Sequence, residues 1–325
     1  MTNVNYKSIK NAHKRIKGYI AETPLITSRE INKKYKAKIY FKLENRQKTG
    51  SFKVRGAFNK LLQLKNIEKR KGVIAYSSGN HGQAVSFASK ILGIDSLVVM
   101  PKDAPKIKLE NTRKYGAKIV LYNRLIENRE EIAIAIAKKS GRILIPPFDD
   151  LDIIIGQGTA GLEIVNKLNE KKIKPDVYLC CCSGGGLIAG TSSYLKSFFP
   201  DLSIYCAEPK HYDDMRMSIK KGKLLSVNTN FPTICDALTV KIAGKLTFKI
   251  NKKLLKGGLV VTDNEVKKAI RFLKKNLNII AEPGGAVPVA ALLSKYSEFN
   301  DKVVVVMVSG GNIDQKFFNR IMSNG

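Results

Sequence analysis

The stretch DVYLCCCSGGGLIAG, Asp176 to Gly190, joins an unbroken apolar run to three consecutive glycines and then to a helical start. A run without polar alternation is what a strand buried on both faces of a parallel sheet requires. Two other stretches repeat the plan. GVIAYSS (Gly72–Ser78) runs into GNHGQAVSFASK, and VVVVMVS (Val303–Ser309) runs into GGNID. Further strands are predicted at Ile39–Glu44, Ser96–Pro101, Lys118–Tyr122, in ILIPPF after Arg142, and at Ser203–Glu208. Helical periods lie between them. In GAFNKLLQLKN, Ala57, Leu61 and Leu64 share one face, with Phe58 and Leu62 beside it. Strand–helix alternation along the whole length predicts an open α/β fold with right-handed crossovers. Ligands in such folds bind beyond the carboxyl ends of strands, so the three small-residue turns mark the expected site.

A chain of 325 residues has room for one large domain or two moderate ones, and 44% apolar residues suffice for a sizeable core. No Pro/Gly/Ser linker or internal repeat divides it, so two domains would be intimately joined. The five cysteines form no CxxC pair. They read as buried reduced thiols of a cytoplasmic protein rather than a disulfide framework or zinc site. NYKSIKNAHKRIKGYI reads as a basic amphipathic helix and not as a signal peptide, and no apolar run approaches the roughly 18 residues of a membrane span. The net charge is +30, but the lysines are scattered, without a block of five and without interleaved aromatics. That pattern reads as compositional bias, with no nucleic-acid or membrane partner expected, although a positive field would draw in anionic small molecules.

Ser183-Gly184-Gly185-Gly186-Leu187 lacks a Cβ at three successive positions. Backbone N–H groups can then approach an anion closely, and the following helix adds its positive end, which makes a phosphate cradle. A competing motif, Gly156-Gln157-Gly158-Thr159-Ala160-Gly161, matches the dinucleotide fingerprint GxGxxG. Its lead-in, PPFDDLDIII, is a poor strand, and Asp176, the acid about twenty residues on, opens a strand instead of closing one. It is read as a helix start with close packing, and a nicotinamide-dependent dehydrogenase is disfavoured.

In QKTGSFKVRG (Gln47–Gly56), Lys53 sits between Phe52 and Val54. A lysine in a partly apolar setting loses some preference for charge, and a neutral amine can form an imine with an aldehyde. An aldehyde cofactor carrying one phosphate is pyridoxal 5′-phosphate. Taken alone, any one lysine of this chain is a solvated surface group. The coincidence with the triple-glycine turn singles out Lys53.

These stretches, with TPLITS (Thr23–Ser28), FKLENRQKTGSFKVRGA (Phe41–Ala57), SSGNHGQAV (Ser77–Val85), MPKDAPKIK (Met100–Lys108), GQGTAGLEI (Gly156–Ile164), EPGGAV (Glu282–Val287) and SGGNID (Ser309–Asp314), carry a resemblance. The chain resembles the fold-type II pyridoxal-phosphate enzymes, in the threonine/serine dehydratase (threonine ammonia-lyase) and serine racemase branch, along nearly its whole length. SFKVRG with SSGNHGQ looks like the dehydratase branch, where cysteine and threonine synthases carry other words such as TSGNTG.

The resemblance implies two interleaved open-sheet α/β domains of the tryptophan synthase β-like kind. Residues 1–68 and 149–325 would form a large cofactor-binding domain and 69–148 a small one, with the cofactor in the cleft. It implies Lys53 as the Schiff-base lysine. Gly184, Gly185, Gly186 and Leu187 would hold the phosphate, Asn80 the ring hydroxyl, and Ser309 would face the ring nitrogen. Ser77, Ser78, Asn80 and His81 would hold the substrate carboxylate, and in racemases of this branch the residue matching Ser78 is the second acid/base. Glu208, the Tyr212 carbonyl and Asp214 match a Mg²⁺ or Ca²⁺ site of the branch. The implied reaction is an ammonia-lyase step on a hydroxyamino acid. L-threonine would give 2-oxobutanoate, and L-serine would give pyruvate. Serine racemase and 3-hydroxyaspartate ammonia-lyase are the alternatives, and the expected assembly is a homo-oligomer, dimer or tetramer. Because the chain ends soon after SGGNID, no appended regulatory domain is expected. One departure touches substrate fit: many relatives have glycine where this chain has Ala237, in ICDALTV. By themselves, Asn80 and His81 read equally well as helix caps, Ser309 to Asn312 as one more turn, and two acids six residues apart as surface.

Overall fold

The computed structural model describes residues 4–77 and 79–323. Its strands are β1 (Leu25–Ile26), β2 (Lys38–Leu43), β3 (Val73–Tyr76), β4 (Ser96–Pro101), β5 (Lys118–Tyr122), β6 (Ile143–Ile145), β7 (Val177–Cys181), β8 (Ser203–Pro209), β9 (Gly257–Val261) and β10 (Val303–Val308). They form a six-stranded sheet in the order β1-β2-β10-β7-β8-β9 and a four-stranded sheet in the order β5-β4-β3-β6. Every pair is parallel except β1 with β2. At the centre of the larger sheet Val306 lies opposite Phe41 on one side and Leu179 on the other. These valine-rich runs are buried because helices cover both faces, as parallel pairing demands. All eight strands expected from the sequence are present. The two not expected are β1, two residues long, and β9, an edge strand that opens with Gly257 and Gly258.

The basic N-terminal segment forms the helix Tyr6–Ile16, which buries Ile9, Ala12 and Ile16. The helix Lys53–Leu61 packs against the helices Leu151–Glu170 and Asn80–Ile91. Its Val54, Ala57, Phe58 and Leu61 join Val73, Ala75, Ala84 and Val85 in one apolar cluster. All five cysteines are free and buried. Among the described residues no helix is long and apolar enough to cross a membrane.

The GxGxxG stretch sits inside the helix Leu151–Glu170, whose N-cap is Asp150. This corrects the expectation of a helix start at that motif. Asp150 Oδ1 accepts from the Asp152 and Ile153 N–H groups at 2.9 and 3.1 Å, so the helix begins five residues ahead of Gly156. The glycines serve close packing. A Cβ on Gly156 would stand 2.6 Å from Gly56 Cα, one on Gly158 2.9 Å from the Gly190 carbonyl oxygen, and one on Gly161 2.8 Å from that of Thr191. Gly190 is the tightest contact of the set. A Cβ there would strike the Ile154 oxygen and lie 2.7 Å from Gly158 N. Both obstacles are backbone, so neither can swing aside. Gly190→Ala is expected to lower unfolding stability by about 2–3 kcal/mol, the upper range of overpacking costs. An unchanged urea midpoint for that variant would contradict this packing.

Candidate active site

A cleft of about 100 Å³ opens at the carboxyl ends of β3, β7 and β10. Lys53, Ser77, Asn80, His81, Gly184, Gly185, Gly186, Leu187 and Ser309 all line it. Ser78 lies outside the described residues.

Lys53 is the first residue of its helix. Ser51 bridges Gly310, and Phe52 N–H donates to the Ser309 carbonyl at 3.2 Å, which pins the helix start to the end of β10. Lys53 Nζ donates to the Pro147 carbonyl at 2.6 Å and lies 5.2 Å from the centre of the Phe52 ring. Burial pushes its pKa down to about 8; Cys181 opposes the shift and the charge of Arg129 adds to it. Lys53 is therefore an amine that can lose its charge near neutral pH.

The triple glycine forms the turn from β7 into the helix Gly186–Phe198. Gly185 has φ +91°, the left-handed region that glycine enters without strain. A Cβ on Gly184 or Gly186 would meet Phe148, and one on Gly185 would lie 2.8 Å from Asn251 Nδ2. Two of the carbonyls are occupied by side chains of another helix. Gly184 O accepts from Thr247 Oγ1 at 2.6 Å, and Gly185 O from Asn251 Nδ2 at 3.3 Å. Asp149 anchors that partner helix, accepting the N–H groups of Lys245, Leu246 and Thr247 at 3.1, 2.9 and 3.1 Å. These residues line the cleft, and the first-turn N–H groups of a helix have no partner within their own helix, which leaves them free for an anion.

On the opposite wall, Ser77 Oγ accepts from Gly79 N–H at 3.0 Å. Asn80 Nδ2 donates to Glu282 Oε1 at 2.5 Å, and its Oδ1 accepts from Asn312 Nδ2 at 2.9 Å. His81 Nε2 bonds the Ile145 carbonyl at 2.9 Å, which makes that nitrogen the protonated one. Burial, then the charge of Lys53, pushes His81 down to about 3. It is a neutral ring tied to the backbone. Lys108 is 2% exposed and bonds Asp236 at 2.7 Å and Glu282 at 3.2 Å. Burial raises the Glu282 pKa against the opposing charge of Lys108. Arg129 reaches the cleft with its guanidinium 5.9 Å from the Tyr76 ring centre and forms no ion pair among the described residues. Ser309 Oγ lies 3.2 Å from Cys181 Sγ.

Glu208 in β8, Tyr212 in the loop that follows and Asp214 at the first position of the helix Asp214–Lys221 do not line the cleft. Glu208 accepts from the N–H groups of Met215 at 3.1 Å and Arg216 at 2.8 Å. Asp214 Oδ2 is buried without a partner. Burial, then the neighbouring Asp214 charge, raises Glu208 well above the usual range, and burial pushes Asp214 up to about 7. Among the described residues no group of three or more His, Cys, Asp or Glu side chains could hold a metal ion. Any cation at Glu208 and Asp214 would need the Tyr212 carbonyl as well.

Sequence reasoning assigned no role to Lys108, Arg129, Asp236, Glu282 or Asn312. Lys108, Glu282 and Asn312 fall inside the stretches MPKDAPKIK, EPGGAV and SGGNID, so a signal was present. Arg129 lies in ENREEIAIAIAKK, a plain helical stretch that singles out no residue.

The family described as pyridoxal-phosphate dependent enzyme matches residues 16–310. The L-threo-3-hydroxyaspartate ammonia-lyase of Saccharomyces cerevisiae is 38% identical over 98% of this chain and 96% of its own length. The L-threonine ammonia-lyase of Thermotoga maritima is 38% identical over 99% of this chain and 79% of its own. The solved structure of maize serine racemase superposes with a TM-score of 0.91 at 34% identity, covering 99% of this chain and 97% of that one.

Proposed function

This chain belongs to the pyridoxal-phosphate dependent enzyme family, in its lyase and racemase group, and we propose that it is an ammonia-lyase of hydroxyamino acids. L-Threonine would yield 2-oxobutanoate and L-serine pyruvate, each with ammonia. The observation that carries this reading is the meeting, in one cleft, of a lysine with a pKa of about 8 and a triple-glycine turn that has no room for a Cβ.

The cradle fits a phosphate, and Lys53 Nζ stands in the same cleft for the aldehyde. When bound, pyridoxal phosphate supplies a ring that takes up the electrons left at the substrate Cα once its proton departs. In our reading the chain does the rest. The N–H groups of Gly184, Gly185, Gly186 and Leu187 grip the phosphate. Asn80 donates to the ring hydroxyl, its other bonds to Glu282 and Asn312 fixing the amide plane. Ser77, Ser78, Asn80 and His81 hold the substrate carboxylate at the start of the helix Asn80–Ile91. The His81 ring proton is already given to Ile145, so what His81 can donate to the carboxylate is its backbone N–H in the first turn of that helix. Lys53 Nζ takes the Cα proton. The closed cleft keeps water from that proton transfer. Ser309 offers a hydroxyl to the ring nitrogen. A hydroxyl does not hold that nitrogen protonated as a carboxylate would, which supports prompt loss of the β-hydroxyl over transamination.

A second reading has its own support. Arg129 is a cleft cation with no carboxylate partner among the described residues, which suits a substrate bearing a second carboxylate, as 3-hydroxyaspartate does. Reconstituted protein should therefore be offered L-threonine, L-serine and L-threo-3-hydroxyaspartate. Ammonia and oxo acid are measured, and recovered serine is resolved by chirality. Racemised serine without ammonia would move the assignment to a serine racemase using Ser78. Neither oxo acid nor racemisation from any of the three would remove the reading.

The Lys53 pKa adds a kinetic expectation. Only the neutral amine captures an aldehyde, and burial makes it the dominant form above about pH 8. The rate of cofactor uptake by cofactor-free protein should fall about tenfold per pH unit below that value. A rate that follows the ordinary lysine pKa would contradict it.

We further propose residues 69–148 as a small domain that closes on 1–68 and 149–325, with Lys108 and Asn80 reaching across to Asp236 and Glu282. The partnerless Asp214 oxygen and the two buried carboxylates support Mg²⁺ or Ca²⁺ bound by Glu208, Asp214 and the Tyr212 carbonyl. A melting temperature raised by either cation and lowered by chelator tests this. A cytoplasmic setting, which suits five free thiols, and a dimer or tetramer, checked by light scattering, complete the proposal.

A further inference from the structure

The thiol in the cleft has no role in the mechanism above, yet it touches a residue that does. Among the described residues Cys181 is the one cysteine that lines the cleft. It closes β7, the neighbour of β10, at whose end Ser309 stands. Its Sγ is 3.2 Å from Ser309 Oγ, within reach of a sulfur hydrogen bond. The Ser309 hydroxyl shows no other hydrogen-bond partner among the described residues, so Cys181 is the neighbour that can bias its rotor.

We propose that Cys181 is a positioning residue. Its S–H donates to Ser309 Oγ, which leaves the serine's own proton to point at the ring nitrogen of the bound cofactor. The inference rests on the cofactor reading given above. A hydroxyl has one proton to give and lone pairs to receive others. With a thiol donor on one lone pair, the proton is free for an acceptor in the cleft, and an unprotonated pyridine nitrogen is that acceptor. Without the thiol, the hydroxyl rotor turns freely and can instead accept from a protonated ring nitrogen. Cys181 would thus hold the ring in the neutral form on which prompt elimination depends.

The strand fits the role. Alternation along β7 sends Cys180 and Cys181 to opposite faces, so only Cys181 can meet the cleft. Cys180 and Cys182 are thiols pushed well up by burial. Cys180 Sγ turns back to the Cys181 carbonyl at 3.5 Å and so does not compete for Ser309.

The test compares wild-type, Cys181→Ser and Cys181→Ala proteins reconstituted with pyridoxal phosphate. Readouts are the absorbance and fluorescence of the bound cofactor across pH, its dissociation constant, and kcat apart from KM. The serine variant keeps a donor and should match wild type within about twofold. The alanine variant should shift the cofactor band toward the protonated-ring form, weaken cofactor binding by up to about tenfold and lower kcat with KM unchanged. A wild-type band with an identical band and titration in Cys181→Ala overturns this inference alone. A wild-type protein that takes up no cofactor overturns the cofactor reading with it. Should the alanine variant fail to fold, iodoacetamide labelling of the wild-type protein decides. Cys181 should be labelled in the cofactor-free protein and protected in the loaded one, and equal labelling in both overturns the placement.

Discussion

Lys53→Ala is expected to lower turnover by at least about a thousandfold, within the range that a positioned acid–base group contributes. The size of the loss follows from the absence of a substitute. The other cleft lysine, Lys108, is held between Asp236 at 2.7 Å and Glu282 at 3.2 Å, and those carboxylates raise its pKa despite burial. It stays an ammonium and cannot take a proton. His81 is neutral, but its Nε2 is spent on Ile145 and its protonated form is driven out down to about pH 3. Arg129 never deprotonates. Among the described residues Lys53 alone combines a place in the cleft with a pKa of about 8. The variant should still bind pyridoxal phosphate through the glycine turn, which contains none of the altered atoms. Borohydride reduction of wild-type protein should place the cofactor tag on the peptide bearing residue 53, and the variant should carry no tag. A tag on another lysine, or turnover within tenfold of wild type, would dismiss Lys53.

What the sequence revealed and what it hid divide along a physical line. DVYLCCC and VVVVMVS were legible because burial on both faces forces an uninterrupted apolar run. The strand GGLVV, β9, was not. An edge strand paired only with β8 needs no such run, and two leading glycines read as a turn. The glycine turn and Lys53 were legible because each needs a local feature, the missing Cβ or an apolar neighbour. The clasp of Lys108 on Asp236 and Glu282 was hidden, since its members are 128 and 174 residues apart and meet only through tertiary packing. Gly156 to Gly161 misled for the converse reason. Helix–helix contact and phosphate binding both require glycine, and only the surrounding elements tell them apart.

The largest stability effect is expected two residues beyond the cleft lysine. The Arg55 side chain is fully buried and makes two bonds each to Glu44, both 2.8 Å, and to Glu163, 2.7 and 2.8 Å. Lys42, also buried, donates to the same Glu163 at 2.5 Å and to the Thr23 carbonyl at 2.7 Å. Two cations thus balance two carboxylates, all four side chains buried, and they join the end of β2 to the helices Lys53–Leu61 and Leu151–Glu170. Arg55→Met keeps most of the volume but leaves two buried carboxylates to one lysine. Stranding a buried charge in this way costs about 3–5 kcal/mol. Arg55→Lys should recover only part of the loss, because one ammonium cannot make two forked contacts. The acid limb supplies an independent check. Glu163 is pushed from 4.5 down to about 2, with burial opposing and Arg55 the leading favourable partner. A carboxylate whose folded pKa is depressed contributes stability that is present above its unfolded value. That contribution is lost as pH falls from about 4.5 toward 2. Wild-type protein should therefore lose stability steeply over that window, and Arg55→Met should show a shallower limb because much of the stabilisation is already gone. Urea unfolding across pH measures both quantities. A variant with the wild-type midpoint at neutral pH, or with an equally steep acid limb, would show that this cluster does not hold the helix Lys53–Leu61 in place.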